Sequence, residues 1–418
     1  MNQNNEAAEA SSTFVVRANI GFWEFIFLTA LLTSIIAMSI DIMLPALPLI
    51  GESLQVADVN SRQFVIISFT LGFAIFQLFF GPITDRYGRR PILLGGMVVF
   101  MATSFFCATA PNFETLLIGR FVQGIGAAAV RVVVAAIVRD CFSGNAMGRV
   151  MSFSFTAFMA VPVIAPIIGQ VVSVSFGWRW IFTGLGAVGM LITVWAFLRM
   201  KETMHEEDRR SLDLASLWSA VKEVCTNRVA AGYTLASTLT SIGLFAYIVL
   251  VQQVYGELYG LGGWFPLAFA IGAVGIAIAS VISGNVVNHY GIRFMAHLSM
   301  SLFAFAGMVL FILCLFGNPP FWVTYTLIFF AMVGFGVLQG NIGAISMEPL
   351  GHVAGMASSI IGVFSTTVGV VAGGVIGYSY NGTVMPLGFA FGIFGLAALL
   401  VVLWTEHGKL FQRNEERH

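Results

Sequence analysis

Gly81-Pro82-Ile83-Thr84-Asp85-Arg86-Tyr87-Gly88-Arg89-Arg90 is followed 203 residues later by Gly284-Asn285-Val286-Val287-Asn288-His289-Tyr290-Gly291-Ile292-Arg293. Gly, Tyr, Gly and the final Arg keep one offset, and Asn288 stands where Asp85 stood. Each copy closes one long apolar run and opens the next, so a single polar turn occurs at corresponding places in the two halves of the chain. Two short turns that each need glycine would be the simpler explanation; four matches at a constant offset favour duplication.

Working outward from these turns, apolar runs bounded by charge or by Gly, Pro and Asn clusters predict six spans at about 22–47, 62–83, 91–110, 114–138, 150–175 and 178–199. A polar connector at 200–228 follows, and then six more spans at about 229–254, 263–288, 293–316, 321–345, 353–378 and 384–405. Tails of 1–21 and 406–418 flank them. From Val229 to Thr405 the only charged residues are Glu257, Arg293 and Glu348, and one helical crossing needs roughly 20 apolar residues. The expected fold class is therefore an all-α integral membrane protein, with a six-helix bundle at 22–199 and another at 229–405.

Composition agrees and excludes other classes. Of 418 residues 58% are hydrophobic and 10% charged, with a mean hydropathy of +0.90, too apolar for a chain dissolved in water. Cys107, Cys141, Cys225 and Cys314 lie far apart, which indicates neither a disulfide framework nor a zinc site. Among six histidines only His297 approaches an apolar run, so no metal or haem constellation is expected. A net charge of zero argues against a nucleic-acid partner. The polar first 20 residues do not read as a signal peptide. With the N-terminus placed in the cytoplasm, 16 of the 20 Lys and Arg fall inside, only Arg62 and Arg179 fall outside, and Arg120 and Arg131 lie within the fourth span. Both termini are expected to be cytoplasmic.

The turn at Gly81 to Arg90 resembles the loop signature of the major facilitator superfamily, and the six-plus-six layout fits that superfamily over nearly the whole chain. Asp41-Ile42-Met43-Leu44-Pro45-Ala46-Leu47-Pro48 is similar to the D-x-x-L-P-A-L-P stretch of the Bcr/CflA branch of drug:proton antiporters, the bicyclomycin and chloramphenicol exporters. Arg120-Phe121-Val122-Gln123-Gly124 resembles that branch's R-x-x-Q-G signature. The run from Pro162 through Pro166 to Gly169 and Gln170 resembles the antiporter signature G-P-x-x-G-G, with Ala165 and Gln170 where glycine is usual. The resemblance implies a major facilitator fold and a proton-coupled multidrug exporter of small amphipathic compounds that works by alternating access. It implies a bacterial inner membrane, no cofactor beyond the proton gradient, and a monomer whose partners are protons, a small-molecule substrate and the bilayer.

Roles follow from chemistry and from the resemblance. A carboxylate within a span costs roughly 2.5–3.5 kcal/mol by insertion scales and persists only against a partner or water, which singles out Asp41. At about 1.5 Å per residue, Asp41 and Arg120 lie at similar depth on antiparallel helices. The family implies that both face a central cavity, Asp41 as the protonatable group and Arg120 governing its proton affinity; a static ion pair is the alternative. Burial favours the protonated form of a carboxylate and a nearby cation the ionised form, so moving either would switch such a site between loaded and empty. Arg131 lies three helical turns beyond Arg120 on nearly the same face, and is expected in the cavity with Gln123; Phe245-Ala246-Tyr247 resembles the family's F-x-Y stretch, and Tyr247 would line the cavity or bond between helices. Gln252, Gln339 and Asn341 would line a pocket or bond between helices. Asp85 can approach the start of the eleventh span near His352 to Ser358, where open N–H groups favour an anion, and the family implies that this contact latches the halves shut on the cytoplasmic side. Gly81 would serve close packing and Gly88 the tight turn, and Arg89 and Arg90 the latch or merely topology. Glu24 is expected to be an interface residue. Export of a native metabolite or lipid is the alternative function, and an intramembrane enzyme or sensor the reading from another class.

Overall fold

A computed structural model describes residues 20–142, 144–204 and 214–411. The outer parts of both tails and the middle of the connector, where several of the counted basic residues lie, are outside the described residues. Twelve helices are long and apolar enough to cross a membrane, and no strand occurs among the described residues. In chain order the helices are α1 (Phe22–Asp41), α2 (Leu47–Ser53), α3 (Phe64–Tyr87), α4 (Arg89–Ala108), α5 (Phe113–Cys141), α6 (Gly144–Ser175) and α7 (Arg179–Arg199). They continue with α8 (Leu214–Thr226), α9 (Arg228–Gln252), α10 (Phe265–Tyr290), α11 (Ile292–Cys314), α12 (Phe321–Met347), α13 (Ala354–Tyr378) and α14 (Met385–Thr405). Helix α8 was not expected; it lies in the connector, burying Ala220 and Val224 and exposing Trp218.

The chain divides into two compact units, one running to Ala57 and from Phe64 to the connector, the other comprising Asp58–Gln63 and everything from Leu214 onward. Each unit is built by the same pairings. In the first, α5 packs against α3 and α4, α4 against α7, and α1 against α6; in the second, α12 packs against α10 and α11, α11 against α14, and α9 against α13. The short segment at 58–63 belongs to the second unit through polar contacts. Asn60 Nδ2 donates to the carbonyls of Tyr378 (3.0 Å) and Tyr380 (2.8 Å), and Arg62 pairs with Glu257 at 2.9 Å.

Local sequence explains the boundaries. Asn112 caps α5 by accepting from the Thr115 N–H at 2.8 Å, and Asn227 caps α9 by accepting from Val229 and Ala230. Helix α1 stops at Asp41 because Pro45 and Pro48 follow and cannot donate to a continuing helix; a 3-10 turn over Leu44–Ala46 leads into α2. The duplicated turn is the same in both units. Gly88 has φ 96° and ψ 164°, and Gly291 φ 91° and ψ 150°, a region open essentially to glycine alone. In each, this residue separates two spans without a loop.

Candidate functional site in the first unit

Asp41 ends α1 at 7% exposure, and its carboxylate forms no ion pair or hydrogen bond among the described residues. Six other acids in or beside spans contrast with it. Glu24 holds Arg199 through both carboxylate oxygens (2.7 and 2.8 Å) and accepts from Trp195, which makes it a strut between α1 and α7. Asp85 and Asp140 share Arg89, Glu257 takes Arg62, and Glu348 and Glu406 share Arg293.

The span-five signature meets the chain at Ile42, the residue after Asp41. A Cβ at Gly169 would run into the carbonyl oxygen of Ile42, the residue after Asp41, so only glycine lets α6 lie this close over the end of α1. Pro162 and Pro166 both lie inside α6, where each removes a backbone donor. Gln170 is half-buried beside them.

Arg120 occupies a different place from the one expected. It is fully buried, and its guanidinium donates to the carbonyls of Val65 (3.0 Å) and Ser39 (3.0 Å) and to Gln123 Oε1 (2.6 Å), with its carbon 4.4 Å from the Phe69 ring centre. It therefore faces the seam of α1, α3 and α5 and forms no ion pair with Asp41. The cause is Gly124, where a Cβ would collide with the Phe69 carbonyl; the close approach of α3 brings backbone oxygens within reach of the guanidinium. Gln123 is likewise fully buried and passes the chain on by donating to Ser104 Oγ at 2.7 Å, so it is a core partner of Arg120 rather than a cavity residue. Arg131, on nearly the same face of α5, is exposed and has neither ion pair nor hydrogen bond among the described residues. The two arginines therefore lie in different surroundings although they share a helix face, Arg120 enclosed and Arg131 exposed.

The loop signature forms a charged cluster within the first unit. Arg89 donates to Asp85 at 2.5 Å and to Asp140 at 2.9 Å. Glu202, just past α7, accepts from the backbone N–H groups of Arg89 (2.9 Å) and Arg90 (3.1 Å), the open donors at the start of α4. Arg90 donates to the Phe197 carbonyl at 2.8 Å. These arginines therefore make specific bonds in addition to any topological role. At Gly81, by contrast, a Cβ would meet no atom within 4 Å, so close packing does not explain that glycine.

In the second unit Tyr247 is 6% exposed and lies flat on Phe269, ring centres 5.9 Å apart. It is buried there, and its side chain also bonds to Tyr255. Asn341 donates to Ser283 of α10 (3.3 Å) and to the Val337 carbonyl (2.8 Å), the inter-helix alternative, while Gln339 borders a cavity. A network that the sequence did not reveal lies at the end of this unit where α9 and α11 begin and α14 ends. The Phe411 N–H donates to His297 Nδ1 at 2.9 Å, which leaves the ring proton on Nε2, 2.9 Å from the Tyr233 hydroxyl. That hydroxyl donates to Glu406 Oε1 at 2.9 Å, and Arg293 donates to the same oxygen at 3.0 Å. Burial works to raise the Glu406 carboxyl, but the Tyr233 and Arg293 donors outweigh it and hold the pKa below the ordinary value. Only the isolated position of His297 in an apolar run hinted at this cluster.

The Major Facilitator Superfamily model matches residues 29–374. The "Bicyclomycin resistance protein homolog" of Haemophilus influenzae is 30% identical over 369 residues, covering 88% of this chain and 92% of the relative. "Multidrug resistance protein MdtL" of Klebsiella pneumoniae is 28% identical over 372 residues, covering 87% and 91%. Among solved structures, a bacterial homolog to the human lysosomal transporter Spinster, inward-facing and occupied, superposes with a TM-score of 0.71 at 14% identity, covering 94% of this chain and 98% of its own. A D-xylose-proton symporter gives 0.66 at 17% identity, covering 91% and 95%. At such identities the structural likeness speaks for the fold alone. With twelve spans, a duplicated turn and a family match over most of its length, this chain belongs to the Major Facilitator Superfamily, a multi-pass membrane transporter.

Proposed function

We propose that the chain is a proton-coupled multidrug exporter of small amphipathic compounds, working by alternating access in a bacterial inner membrane with both termini in the cytoplasm. The observation that carries this reading is Asp41: Glu24, Asp85, Asp140, Glu257, Glu348 and Glu406 each hold an arginine, and Asp41, buried at the break of α1 where Gly169 meets Ile42, has among the described residues no ion pair to hold its carboxylate ionised. Antiport needs such a group if proton and cargo stabilise competing states. The proton gradient is the only driving force required, and no cofactor enters. The names of the relatives, one for bicyclomycin and one for multiple drugs, support drugs as the cargo class. Arg131, exposed and unpaired among the described residues, is the cation we assign to the substrate path, which disfavours dications and favours neutral or weakly acidic compounds.

The test is overexpression in cells stripped of their own exporters, with growth scored on a compound panel that includes bicyclomycin and chloramphenicol. Raised tolerance that a protonophore erases, and that Asp41→Asn abolishes at equal membrane abundance, is the expected result. Uphill export retained in Asp41→Asn would remove Asp41 from the coupling step.

A further inference from the structure

The second unit contains a cavity of about 210 Å³ lying between α9, α12 and α13, at the end where α9 and α13 begin. Its walls carry hydroxyl and amide groups, among them Ser237 and Ser241 of α9, Gln339 of α12, and Ser358 and Ser365 of α13, and no charged residue. Such a wall is unusual inside an apolar bundle, where an uncharged polar group ordinarily bonds to its own helix or a neighbour. Gln339 Nε2 does neither: it is buried and has no partner. An unpaired buried donor is costly unless something supplies an acceptor. Ser358 already donates to the Gly355 carbonyl (3.0 Å), and the Ser365 and Thr238 hydroxyls share a bond (3.1 Å), so these oxygens retain lone pairs that can accept. The cavity thus presents a donor and acceptors together, the complement of a hydroxyl or a carboxamide. A charged group would find no counter-charge there and would lose its hydration.

Volume limits what enters. Whole drug sites run to about 300–1,000 Å³, so this space takes one end of a larger molecule or a small one entire. We propose that the cavity between α9, α12 and α13 is a subsite that binds the uncharged, hydroxyl- or amide-bearing end of the exported molecule. This rests on the exporter reading for its purpose, although binding itself does not depend on proton drive.

Gly343 and Gly362 line the cavity, and a Cβ added at either meets no atom within 4 Å, so both accept cysteine without displacing a neighbour. Gly343→Cys and Gly362→Cys, in proteoliposomes, would be labelled with N-ethylmaleimide and the modified peptide quantified by mass. The probes are chloramphenicol, uncharged with two hydroxyls and an amide, and tetraphenylphosphonium, an apolar cation. Chloramphenicol is expected to slow labelling about fivefold or more at both positions, an effect lost in the Gln339→Leu background, with tetraphenylphosphonium inactive. Absence of protection by chloramphenicol, or equal protection by the cation, overturns the subsite. As a second measure, Gly362→Leu in the otherwise native chain fills the space and should raise the KM for chloramphenicol export about tenfold with kcat retained; an unchanged KM overturns the proposal as well. Protection that persists while export proves insensitive to a protonophore would bring down the exporter reading and leave the subsite standing.

Discussion

At the scale of single residues, the arginine in the fourth span and the acid in the first form no ion pair with each other. Arg120 holds two backbone carbonyls and Gln123 with no exposure to solvent, which makes it a pin joining α1, α3 and α5. Arg120→Ala takes a donor from three buried acceptors, of which the Val65 carbonyl keeps its helical partner, and at about 1–3 kcal/mol for each buried group left unsatisfied the first unit should lose roughly 2 kcal/mol or more. Arg120→Lys recovers only part, because an ammonium cannot serve three acceptors in the geometry of a planar fork. Thermal unfolding of the purified protein in detergent is the measurement, and a melting point for Arg120→Ala within a degree of wild type would refute the pin. Glu406 gives a pH-dependent counterpart in the second unit. Its folded-state pKa lies below the ordinary carboxylate value, so its bonds to Tyr233 and Arg293 stabilise above that value and are lost as pH falls through the folded-state pKa. Between about pH 5 and 3 the wild-type melting point should fall more steeply than that of Glu406→Gln, and parallel curves would show that this carboxylate contributes nothing to acid sensitivity.

Elements depend on glycines whose roles differ although the sequence spells them alike. Gly169→Ala places a methyl against the Ile42 carbonyl and must push α6 off the end of α1, beside the proposed proton site. Transport should fall at least tenfold with the protein still inserted, and Gly81→Ala, facing open space, should be near wild type; assayed side by side, equal losses would deny the distinction. Gly88→Ala combines a backbone conformation costing about 1–3 kcal/mol for a residue with a side chain and a clash with Glu202, which would dislodge the cap of α4. Most helices were legible because an apolar run bounded by Gly, Pro, Asn or charge carries its own ends; the expected run at 321–345 became Phe321–Met347, and that at 178–199 became Arg179–Arg199. Helix α8 was not, since its thirteen residues are framed by charge and read as a polar connector. The placement of Arg120 was also illegible. Helical periodicity fixes which face a residue lies on, but the carbonyls that capture this guanidinium come from α1 and α3, which touch α5 only because Gly124 admits them.

For the whole molecule, the duplicated turn foretold that two units would repeat one set of helix pairings, since spans of equal order with the same turn between them can bury their small-residue faces in the same way. The Glu406 cluster was beyond such reasoning, because it joins α9, α11 and the residues after α14, which approach one another only in the folded unit. Charge is where the molecule as a whole sets the direction of transport. Among the residues proposed for the path, ionised Asp41 and Arg131 sum to no net charge, and protonation of Asp41 leaves +1. If a neutral molecule leaves while one or more protons enter, each cycle moves positive charge inward, so the membrane potential must drive export along with the pH gradient. One elementary charge across 100 mV is worth about 2.3 kcal/mol, roughly fifty-fold in the gradient that can be sustained. The decisive preparation is a proteoliposome with equal pH on both sides, the protein in its cellular orientation, and only an inside-negative potential imposed by potassium and valinomycin. Export of a neutral compound should begin with the potential and stop when it is collapsed. Export indifferent to voltage would require a compensating charge to travel with the cargo and would make the exchange electroneutral, whereas a voltage response surviving in Asp41→Asn would place the moving proton on another group.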